Sequence, residues 1–349
     1  MKRAFLILSV FILLSGIKVT AQDPQFSQFY AAPLYLNPAF AGSTLQARGG
    51  INYRNQWPAI DGGFVTYSAY FDYNWIDYNS SVGMLLIRDR EGLGGLNNTS
   101  AALQYSYHIY LTDKLSFKPG LQAGWYYRNL NFGRLTFGDQ FDPNTGLMIN
   151  PATAEAFNTG FSKHFLDLSA GGLFYTKQAW FGVAYHHMNR PSQSLIGGTD
   201  RLAGKLSVHG GLKIPLQPTG NNGYARPGER SISPTFQYKH QGPFDQLDIG
   251  TYFTLDPIVL GLWYRGIPIK MVESYMNNES LVFLLGFVKR GGSEDRPTEL
   301  NIGYSFDYTI SRLGINSGGA HEISLSYTWP MRDPRKPPRD VMLLPCPRI

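Results

Sequence analysis

The sequence contains few cysteines and few charged residues, which disulfide-stabilised secreted proteins and soluble enzymes respectively require. One cysteine in 349 residues excludes both a disulfide framework and a four-cysteine zinc site. Charged residues make up only 16% of the chain, whereas a soluble domain usually has about 25%. Because 43% of the residues are apolar and 14% are aromatic, an intrinsically disordered chain is excluded as well.

Long hydrophobic runs are absent beyond the beginning of the chain. The one such run, residues 4–17, follows a basic start and is shorter than the roughly 20 residues of a spanning helix. It leads to small residues, so we predict that residues 1–21 are a cleaved secretory signal peptide, with an uncleaved anchor as the alternative. Removal of its three cations lowers the formal charge from +6 to +3. This small excess gives no indication of a nucleic-acid partner.

Motifs for catalysis or metal binding are also missing. The chain has no His-Glu-x-x-His pair, no Gly-x-Ser-x-Gly elbow and no phosphate-binding loop. His186 and His187 are expected to point to opposite faces of a strand, so they could not hold one metal together. The sequence therefore predicts a protein that is not an enzyme and has no cofactor. A membrane lipase, which would need a Ser–His pair inside a barrel, remains an alternative.

Alternation of apolar and polar residues is the dominant pattern. In residues 323–329, for example, apolar or aromatic side chains alternate with Ser324, Ser326 and Thr328. A strand places successive side chains on opposite faces, so each such segment has one apolar and one polar face. We predict about fourteen strands, near residues 45–55, 62–74, 79–89, 98–111, 114–129, 164–176, 179–188, 203–214, 230–240, 244–255, 257–265, 281–289, 298–309 and 321–330.

The spacing of these strands indicates the fold class. One strand falls about every 20 residues, whereas a soluble β-sandwich repeats about every 8–12 residues. Short and long connections also alternate, as in outer-membrane proteins. We therefore predict an all-β fold, a transmembrane antiparallel outer-membrane β-barrel of about 14 strands, with a large soluble sandwich or jelly roll as the alternative. An even number of strands would place the N- and C-termini together in the periplasm.

Four regions follow from this interpretation. They are a signal peptide (1–21), a non-alternating periplasmic or plug segment (22–44), the barrel (45–330) and a basic, Pro-rich periplasmic tail (331–349). The plug segment is expected to fill the lumen or, less favourably, to dock on a partner. Charged residues on the lumen side could line a channel or form a salt-bridged plug; they are Lys118, Lys205, Lys213, Lys239, Asp167, Asp248 and Asp307.

Several segments of the chain resemble one known family. They are QDPQFSQFYAAPLYLNPAFAG at residues 22–42, YRNQW at 53–57, FGDQFD at 137–142, residues 167–194, QLDIG at 246–250 and LWYRG at 262–266. Together they resemble the PorP/SprF family of Bacteroidetes outer-membrane proteins along essentially the whole mature chain. The run Arg201-Leu202-Ala203-Gly204 departs from the Arg-Leu-Pro-Arg-like run of that family, which affects the expected shape of the loop there.

The resemblance implies a role in type IX secretion and in gliding motility. It implies a barrel in the outer-membrane lipid bilayer that binds the C-terminal domain of a secreted cargo protein, often a large surface adhesin, and anchors it at the cell surface. Periplasmic type IX secretion components are further implied partners. A passive or substrate-specific channel is the alternative.

Two sets of residues are candidates for binding. The first is the motif of the plug or partner segment: Gln25, Phe26, Gln28, Phe29, Tyr30, Asn37 and Pro38. The second consists of aromatic residues and one arginine in the long connections 130–163, 189–202 and 266–280, which we expect outside the cell: Phe137, Phe141, Arg190 and Tyr275. Aromatic and arginine side chains dominate the energetics of protein–protein interfaces, which is why these four are expected to contact cargo.

Overall fold

The computed structural model describes residues 23–44, 47–131, 135–151, 153, 162–195, 200–216, 230–272, 275–293, 296–331 and 344–347. The predicted signal peptide (1–21) and most of the predicted tail (331–349) lie outside these residues. Within them, no helix has the length and apolar character needed to cross a membrane.

Strands make up most of the described chain. They are β1 (Ala47–Gln56), β2 (Phe64–Trp75), β3 (Ser80–Glu91), β4 (Leu96–Tyr107), β5 (Ile109–Thr112), β6 (Leu115–Leu130), β7 (Ser162–Tyr175), β8 (Ala179–His186), β9 (Lys205–Leu212), β10 (Ile214–Pro215), β11 (Arg230–Gln241), β12 (Phe244–Leu255), β13 (Ile258–Val272), β14 (Tyr275–Ser293), β15 (Arg296–Thr309) and β16 (Ala320–Trp329). One short helix, α1 (Pro33–Leu36), precedes them, and 3-10 turns lie at Pro38–Phe40, Ile76–Tyr78, Gly138–Gln140 and Ile315–Ser317.

The strands close into a single antiparallel barrel. Strand β5 continues β4 beyond His108, and β10 continues β9 beyond Lys213, so the sixteen segments of the described chain form fourteen crossing strands. Pairing of β1 with β16 and of β9 with β11 completes the circle. Closure satisfies the backbone groups that lipid cannot hydrogen-bond. The predicted fold class and the strand number are confirmed.

The two ends of the barrel differ in their connections. We call the end where β1 begins and β16 ends the base; Ala47 and Trp329 pair there. The other end carries the β6–β7 and β8–β9 connections and is called the loop end. The predicted loop 266–280 is wrong, because β13 and β14 continue through most of it. Register shifts at Gly266 and between Ile267 and Met271 interrupt the alternation there, which hid the strands from sequence analysis.

The barrel is apolar outside and polar inside. On β16, Ile323, Leu325 and Tyr327 are exposed, whereas Glu322 and Ser324 are buried. The same pattern recurs around the wall, although on β11 the outward side chains of Ile232 and Phe236 are half-buried. In water such a surface would be unfavourable, but a bilayer accepts it. The low charge content of the sequence therefore reflects a lipid-facing exterior.

Residues 23–44, which we call the luminal segment, fill the barrel interior. Almost all of them are buried, including Phe29, Leu34 and Phe40. The segment begins near the loop end, where Asp23 bonds to Gln241, and reaches the base, where the Thr44 carbonyl accepts a hydrogen bond from Asn74. It thus crosses the lumen along the barrel before the first strand begins.

This path separates the two ends of the described chain. The strands do begin and end at the base, as expected for an even number. The luminal segment carries Asp23 to the loop end. The placement of the N- and C-termini in the periplasm stays a prediction. At the base, Leu344 is buried in the interior and Cys346 packs partly against the same cluster.

Candidate functional site

A cluster of ion pairs surrounds the side chain of Ser27 in the loop-end half of the lumen. The Ser27 hydroxyl donates to Asp307 Oδ2 at 2.6 Å and accepts from Arg54 Nη1 at 2.7 Å and Arg265 Nη2 at 2.9 Å. Asp307 Oδ2 also accepts from Arg54 at 2.9 Å and from Arg265 at 2.8 Å. One hydroxyl of the luminal segment therefore joins a charged network that extends along one side of the barrel wall, from β13 through β15 to β1.

Each of the two guanidinium groups has one further carboxylate partner. Asp248 accepts from Arg265 Nε at 2.7 Å, and Glu322 accepts from Arg54 at 3.2 Å. Glu322 also receives the backbone N–H groups of Ser27 at 2.7 Å and Gln28 at 3.0 Å. Buried charges are tolerated when they are paired and hydrogen-bonded in this way. We call Ser27, Arg54, Asp248, Arg265, Asp307 and Glu322 the Ser27 cluster.

The Ser27 cluster joins motifs that lie far apart in the sequence. Ser27 belongs to the opening motif, Arg54 to YRNQW, Asp248 to QLDIG and Arg265 to LWYRG. The motif residue Gln28 extends the contact, since its amide donates to the Glu322 carbonyl at 3.0 Å and its oxygen accepts from Ser324 at 2.7 Å. The segments that carry the resemblance are therefore those that fix the luminal segment.

A second charged cluster holds the start of the luminal segment. Asp23 accepts from Lys205 Nζ at 2.6 Å and from His187 Nε2 at 2.8 Å, while His187 Nδ1 lies 2.8 Å from Asp167. The prediction that His186 and His187 point to opposite faces is wrong, since both side chains are buried inside the barrel. Strand β8 ends at His186, and a φ of 60° at His187 turns its ring back into the lumen.

His187 is held as an imidazolium. Burial opposes the charged form, but the carboxylates of Asp23 and Asp167 outweigh it and raise the pKa of His187 to about 9. Both ring nitrogens then donate, one to each carboxylate. These two ion pairs join β7, the end of β8 and the luminal segment. We call His187, Asp23 and Asp167 the His187 clasp.

This clasp predicts a specific pH dependence of stability. A histidine whose pKa is raised on folding stabilises the folded state fully below its unfolded pKa of about 6.5. The contribution falls as the pH rises through about 9 and is on the order of 3 kcal/mol. We therefore expect the urea midpoint of the wild type to fall between pH 6 and 10 more steeply than that of His187→Asn. Parallel curves for the two proteins would contradict the clasp.

Two opposed glycines form the seat for the Asn37–Pro38 motif. Gly120 on β6 pairs with Gly171 on β7, and the turn containing Asn37 lies directly on them. The Asn37 amide donates to the carbonyls of Gly172 and Val183, each at 3.2 Å, and its oxygen caps the N–H of Ala39 at 2.9 Å. A side chain on either glycine would occupy the space of this turn.

Substitution of Gly120 tests this seat. A Cβ at Gly120 would overlap the backbone nitrogen of Ala39, which cannot move without displacing the turn. We expect Gly120→Val to destabilise the barrel by about 1–3 kcal/mol, the usual cost of overpacking. The measurement is the urea midpoint of the purified protein. Gly138→Ala is the control, since its Cβ would meet nothing within 4 Å; equal midpoints for the two variants would contradict the prediction.

An aromatic layer crosses the lumen between these contacts. Tyr30 packs edge-on against Trp180 with ring centroids 5.6 Å apart, and its hydroxyl accepts from the Trp180 indole at 2.6 Å. On the other side of the layer, the rings of Tyr252 and Trp263 lie 4.3 Å apart, and Phe29 contacts Trp263. The motif residues Phe29 and Tyr30 therefore occupy the space that an open pore would need.

A cavity of about 780 Å³ opens above this layer on the loop-end side. The luminal segment provides one wall, with Gln25, Phe26 and Phe29, while Lys239 belongs to the barrel wall. The mouth includes Lys270, which bonds to Asp245. Four of the predicted motif residues lie elsewhere: Gln28, Tyr30, Asn37 and Pro38 are buried against the strands or the aromatic layer.

Three of the loop residues predicted to contact cargo, Phe137, Phe141 and Arg190, are not among the described residues that line this cavity. Phe137 and Phe141 flank the Gly138–Gln140 turn and are half-buried, and Arg190 is exposed with a φ of 42°. Tyr275 is not in a loop, because β14 begins with it. The structure thus brings Gln25, Phe26 and Phe29 together at one cavity, and Phe137, Phe141 and Arg190 lie outside its described lining.

Sequence analysis missed part of the site. Asp248 and Asp307 were recognised as lumen-side charges, but Ser27, Arg54 and Glu322 were not identified as their partners. A signal was present, because Arg54 and Glu322 occupy inward positions on β1 and β16 and pair directly in register. Pairing the first strand with the last, as barrel closure requires, would have predicted that ion pair.

The chemistry of these groups is that of attachment. In the Ser27 cluster, the Ser27 hydroxyl donates to the Asp307 carboxylate and accepts from two arginines, so its hydrogen-bonding capacity is used within the protein. Among the residues that the structure describes, no group of three or more His, Cys, Asp or Glu side chains is placed to hold a metal ion. Both clusters bind the luminal segment to the wall.

Fold and interior together define the class of protein: an outer-membrane β-barrel whose lumen is occupied by its own N-terminal segment. The sequence profile described as "Type IX secretion system membrane protein PorP/SprF" matches residues 18–327, and the chain belongs to this family. It is therefore an outer-membrane barrel of the type IX secretion system, and the family is one of secretion-system membrane proteins. No curated protein matches the chain closely enough to be counted as a relative.

Solved structures similar to the chain are other barrels. The Pseudomonas putida toluene transporter TodX is 11% identical, with 89% of this chain and 95% of that one covered and a TM-score of 0.39. A FadL homologue of Pseudomonas aeruginosa is 12% identical, with 85% and 93% covered and a TM-score of 0.43. At these identities and scores, the likenesses support no conclusion about function.

Proposed function

We propose that this barrel binds the C-terminal domain of a secreted type IX cargo protein, a large surface adhesin, and anchors it at the cell surface in support of secretion or gliding. In this arrangement the loop end faces outward and the base faces the periplasmic components of the secretion system. The barrel acts by binding and not by catalysis.

The observation that carries the proposal is the filled lumen. Phe29, Tyr30 and Phe40 are each buried in the interior, and both charged clusters tie their segment to the wall. A channel needs an open path, which these groups occupy in the described part of the barrel. The interior therefore favours a binding role over the channel alternative.

A second observation supports binding at the loop end in particular. The cavity there is formed partly by the motif residues Gln25, Phe26 and Phe29, and its mouth lies on the side proposed to face outward. Pockets of a few hundred to about 1,000 Å³ with apolar walls and a few polar groups are typical binding sites. A partner docking on this face would meet the segment that characterises the family.

Isolation of the protein from the outer membrane tests the proposal. We expect a tagged copy, extracted in mild detergent, to carry the C-terminal domain of a cargo protein in stoichiometric amount, and we expect a deletion strain to lose that cargo from its surface. The matched control is a tagged, unrelated barrel from the same membrane. Normal cargo display in the deletion strain, together with a large conductance of the purified barrel, would overturn the proposal in favour of a channel.

A further inference from the structure

The loop-end cavity contains polar groups that the barrel itself leaves incompletely used. Gln237 is 4% exposed, and its side-chain oxygen lies buried at the cavity without a hydrogen-bond partner. Its amide nitrogen reaches Ser207 only at 3.5 Å. An unpaired buried carbonyl oxygen is unfavourable, so binding of a ligand that donates an N–H to it would remove that penalty.

Of the three lysines that line the described cavity, Lys239 has the most distant carboxylate partner. Its Nζ lies 3.9 Å from Asp248, which is already engaged by Arg265 at 2.7 Å, and 3.4 Å from the neutral oxygen of Gln25. Lys205, by contrast, is only 2.6 Å from Asp23. An ammonium group has three donors, so Lys239 retains capacity for an anionic oxygen from a ligand.

The neighbouring acidic groups do not prevent such an anion from binding. Glu279 lies at the same cavity but accepts from Gln25 Nε2 at 3.0 Å and faces Arg265 at 3.7 Å. Asp245, at the mouth, bonds to Lys270 and to His240. The acidic side chains are thus each engaged by a hydrogen-bond donor, whereas the carboxylate paired with Lys239 lies 3.9 Å away.

The remaining walls determine which anion fits. Phe26, Phe29 and Leu313 supply apolar surface, while the amide side chains of Gln246, Asn277 and Asn278 are distributed along the cavity towards its mouth. Gln246 already donates to Asp248, and Asn278 accepts from Tyr264, so each of these amides uses part of its hydrogen-bonding capacity within the barrel. A fatty acid has one polar end and would offer little to the rest of that capacity. A polypeptide backbone presents N–H and C=O groups along its whole length and would use them.

We propose that the loop-end cavity binds the carboxyl-terminal end of a partner polypeptide, with its terminal carboxylate at Lys239 and a backbone N–H on the Gln237 oxygen. Its side chains pack against Phe26 and Phe29 of the luminal segment. The inference rests on the proposed function, because it makes the last residues of the cargo domain the part that enters the barrel. It also gives the motif residue Gln25 a role, as the group that positions Lys239.

The test uses the purified full-length barrel and a fully randomised octapeptide mixture, synthesised with free carboxyl ends and, separately, with amidated ends. We expect only the free-acid mixture to yield retained peptides. The most enriched sequence, resynthesised in both forms, should bind at least about tenfold more weakly as the amide, because the charge-assisted bond to Lys239 is lost. This comparison on the wild type needs no variant to fold.

Variants assign the effect to the cavity. Lys239→Met should weaken binding of the free-acid peptide about tenfold and leave the affinity for the amidated peptide unchanged. The matched control is Lys270→Met, since Lys270 is already bound to Asp245. It should change the affinity for either peptide by less than about twofold. The heat-dependent shift in electrophoretic mobility reports folding of each. No enrichment from the free-acid mixture, or equal affinity for acid and amide, overturns the inference.

Oleate is the competing probe. Displacement of bound peptide by oleate at comparable concentration would reassign the cavity to fatty acids and overturn the inference, while no displacement supports it. If the peptide-binding tests fail, cargo can still co-purify with the barrel. Failure of the cavity inference is therefore distinguishable from failure of the proposed function. Conversely, if the peptide binds but no cargo co-purifies, the cavity is still a site for a carboxyl-terminal peptide, and only the identification of the partner as cargo is wrong.

Discussion

We expect deletion of residues 23–44 to abolish assembly of the native barrel instead of opening a pore. The segment supplies Phe26, Phe29, Tyr30, Leu34 and Phe40, all nearly fully buried. Burial of each large apolar side chain contributes about 1.5–3 kcal/mol, so these five contribute roughly 10 kcal/mol. That is comparable with the whole stability of a typical folded protein, about 5–15 kcal/mol.

The charged clusters add to this expected loss. Without Ser27 and Asp23, the two arginines Arg54 and Arg265 lose a shared acceptor, and His187 loses one of its two carboxylates. At the base, Lys118 donates to the carbonyls of Ala41 at 2.6 Å and Gly42 at 2.8 Å and would be left buried without them. Unpaired buried charge is among the most destabilising defects known in proteins.

The measurement is the fraction of deletion variant that shows the heat-dependent mobility shift after extraction from the outer membrane. We expect almost none, against nearly all of the wild type. The control removes residues 143–148, an exposed part of the β6–β7 connection, and should assemble normally. A deletion variant that assembles and conducts ions would show instead that the luminal segment is a removable plug of a pore.

The sequence was sufficient to predict the barrel because lipid imposes a simple rule on each strand. Outward positions must be apolar and inward positions polar, so alternation alone located all fourteen strands, including the one from Ala320 to Trp329. Where the alternation fails, the prediction fails. The shifts at Gly266 concealed the continuation of β13 and β14, and the left-handed backbone at His187 redirected a side chain that a regular strand would have placed outside.

The interior was harder to predict for a different reason. Ser27 and Glu322 lie 295 residues apart, and no local pattern indicates that a loop-like segment will meet a particular strand. Composition indicated that residues 22–44 need burial, but not the direction in which they cross. The cavity at Lys239 depends on that direction, since Gln25 and Phe26 form its wall only because the segment begins at the loop end.

Asp307→Ala is expected to have the largest effect of any single substitution in the Ser27 cluster. Asp307 Oδ2 accepts from Ser27, Arg54 and Arg265, so its removal leaves the two buried guanidinium groups with Asp248, Glu322 and the more distant Glu279. Removing one partner from a buried ion pair costs about 3–5 kcal/mol. We expect a loss of this size in the free energy of unfolding, measured from urea titration by tryptophan fluorescence in lipid vesicles.

Two comparisons make the Asp307 result specific. Asp113→Ala removes an exposed aspartate from the turn between β5 and β6 and should change stability by less than about 0.5 kcal/mol. Asp307→Asn keeps an acceptor oxygen but removes the charge, so it should fall between wild type and Asp307→Ala. If all three variants have the same free energy of unfolding as the wild type, this cluster does not hold the luminal segment in place. Its apolar contacts with the aromatic layer would then have to fix its path, and Gly120→Val would become the most destabilising change.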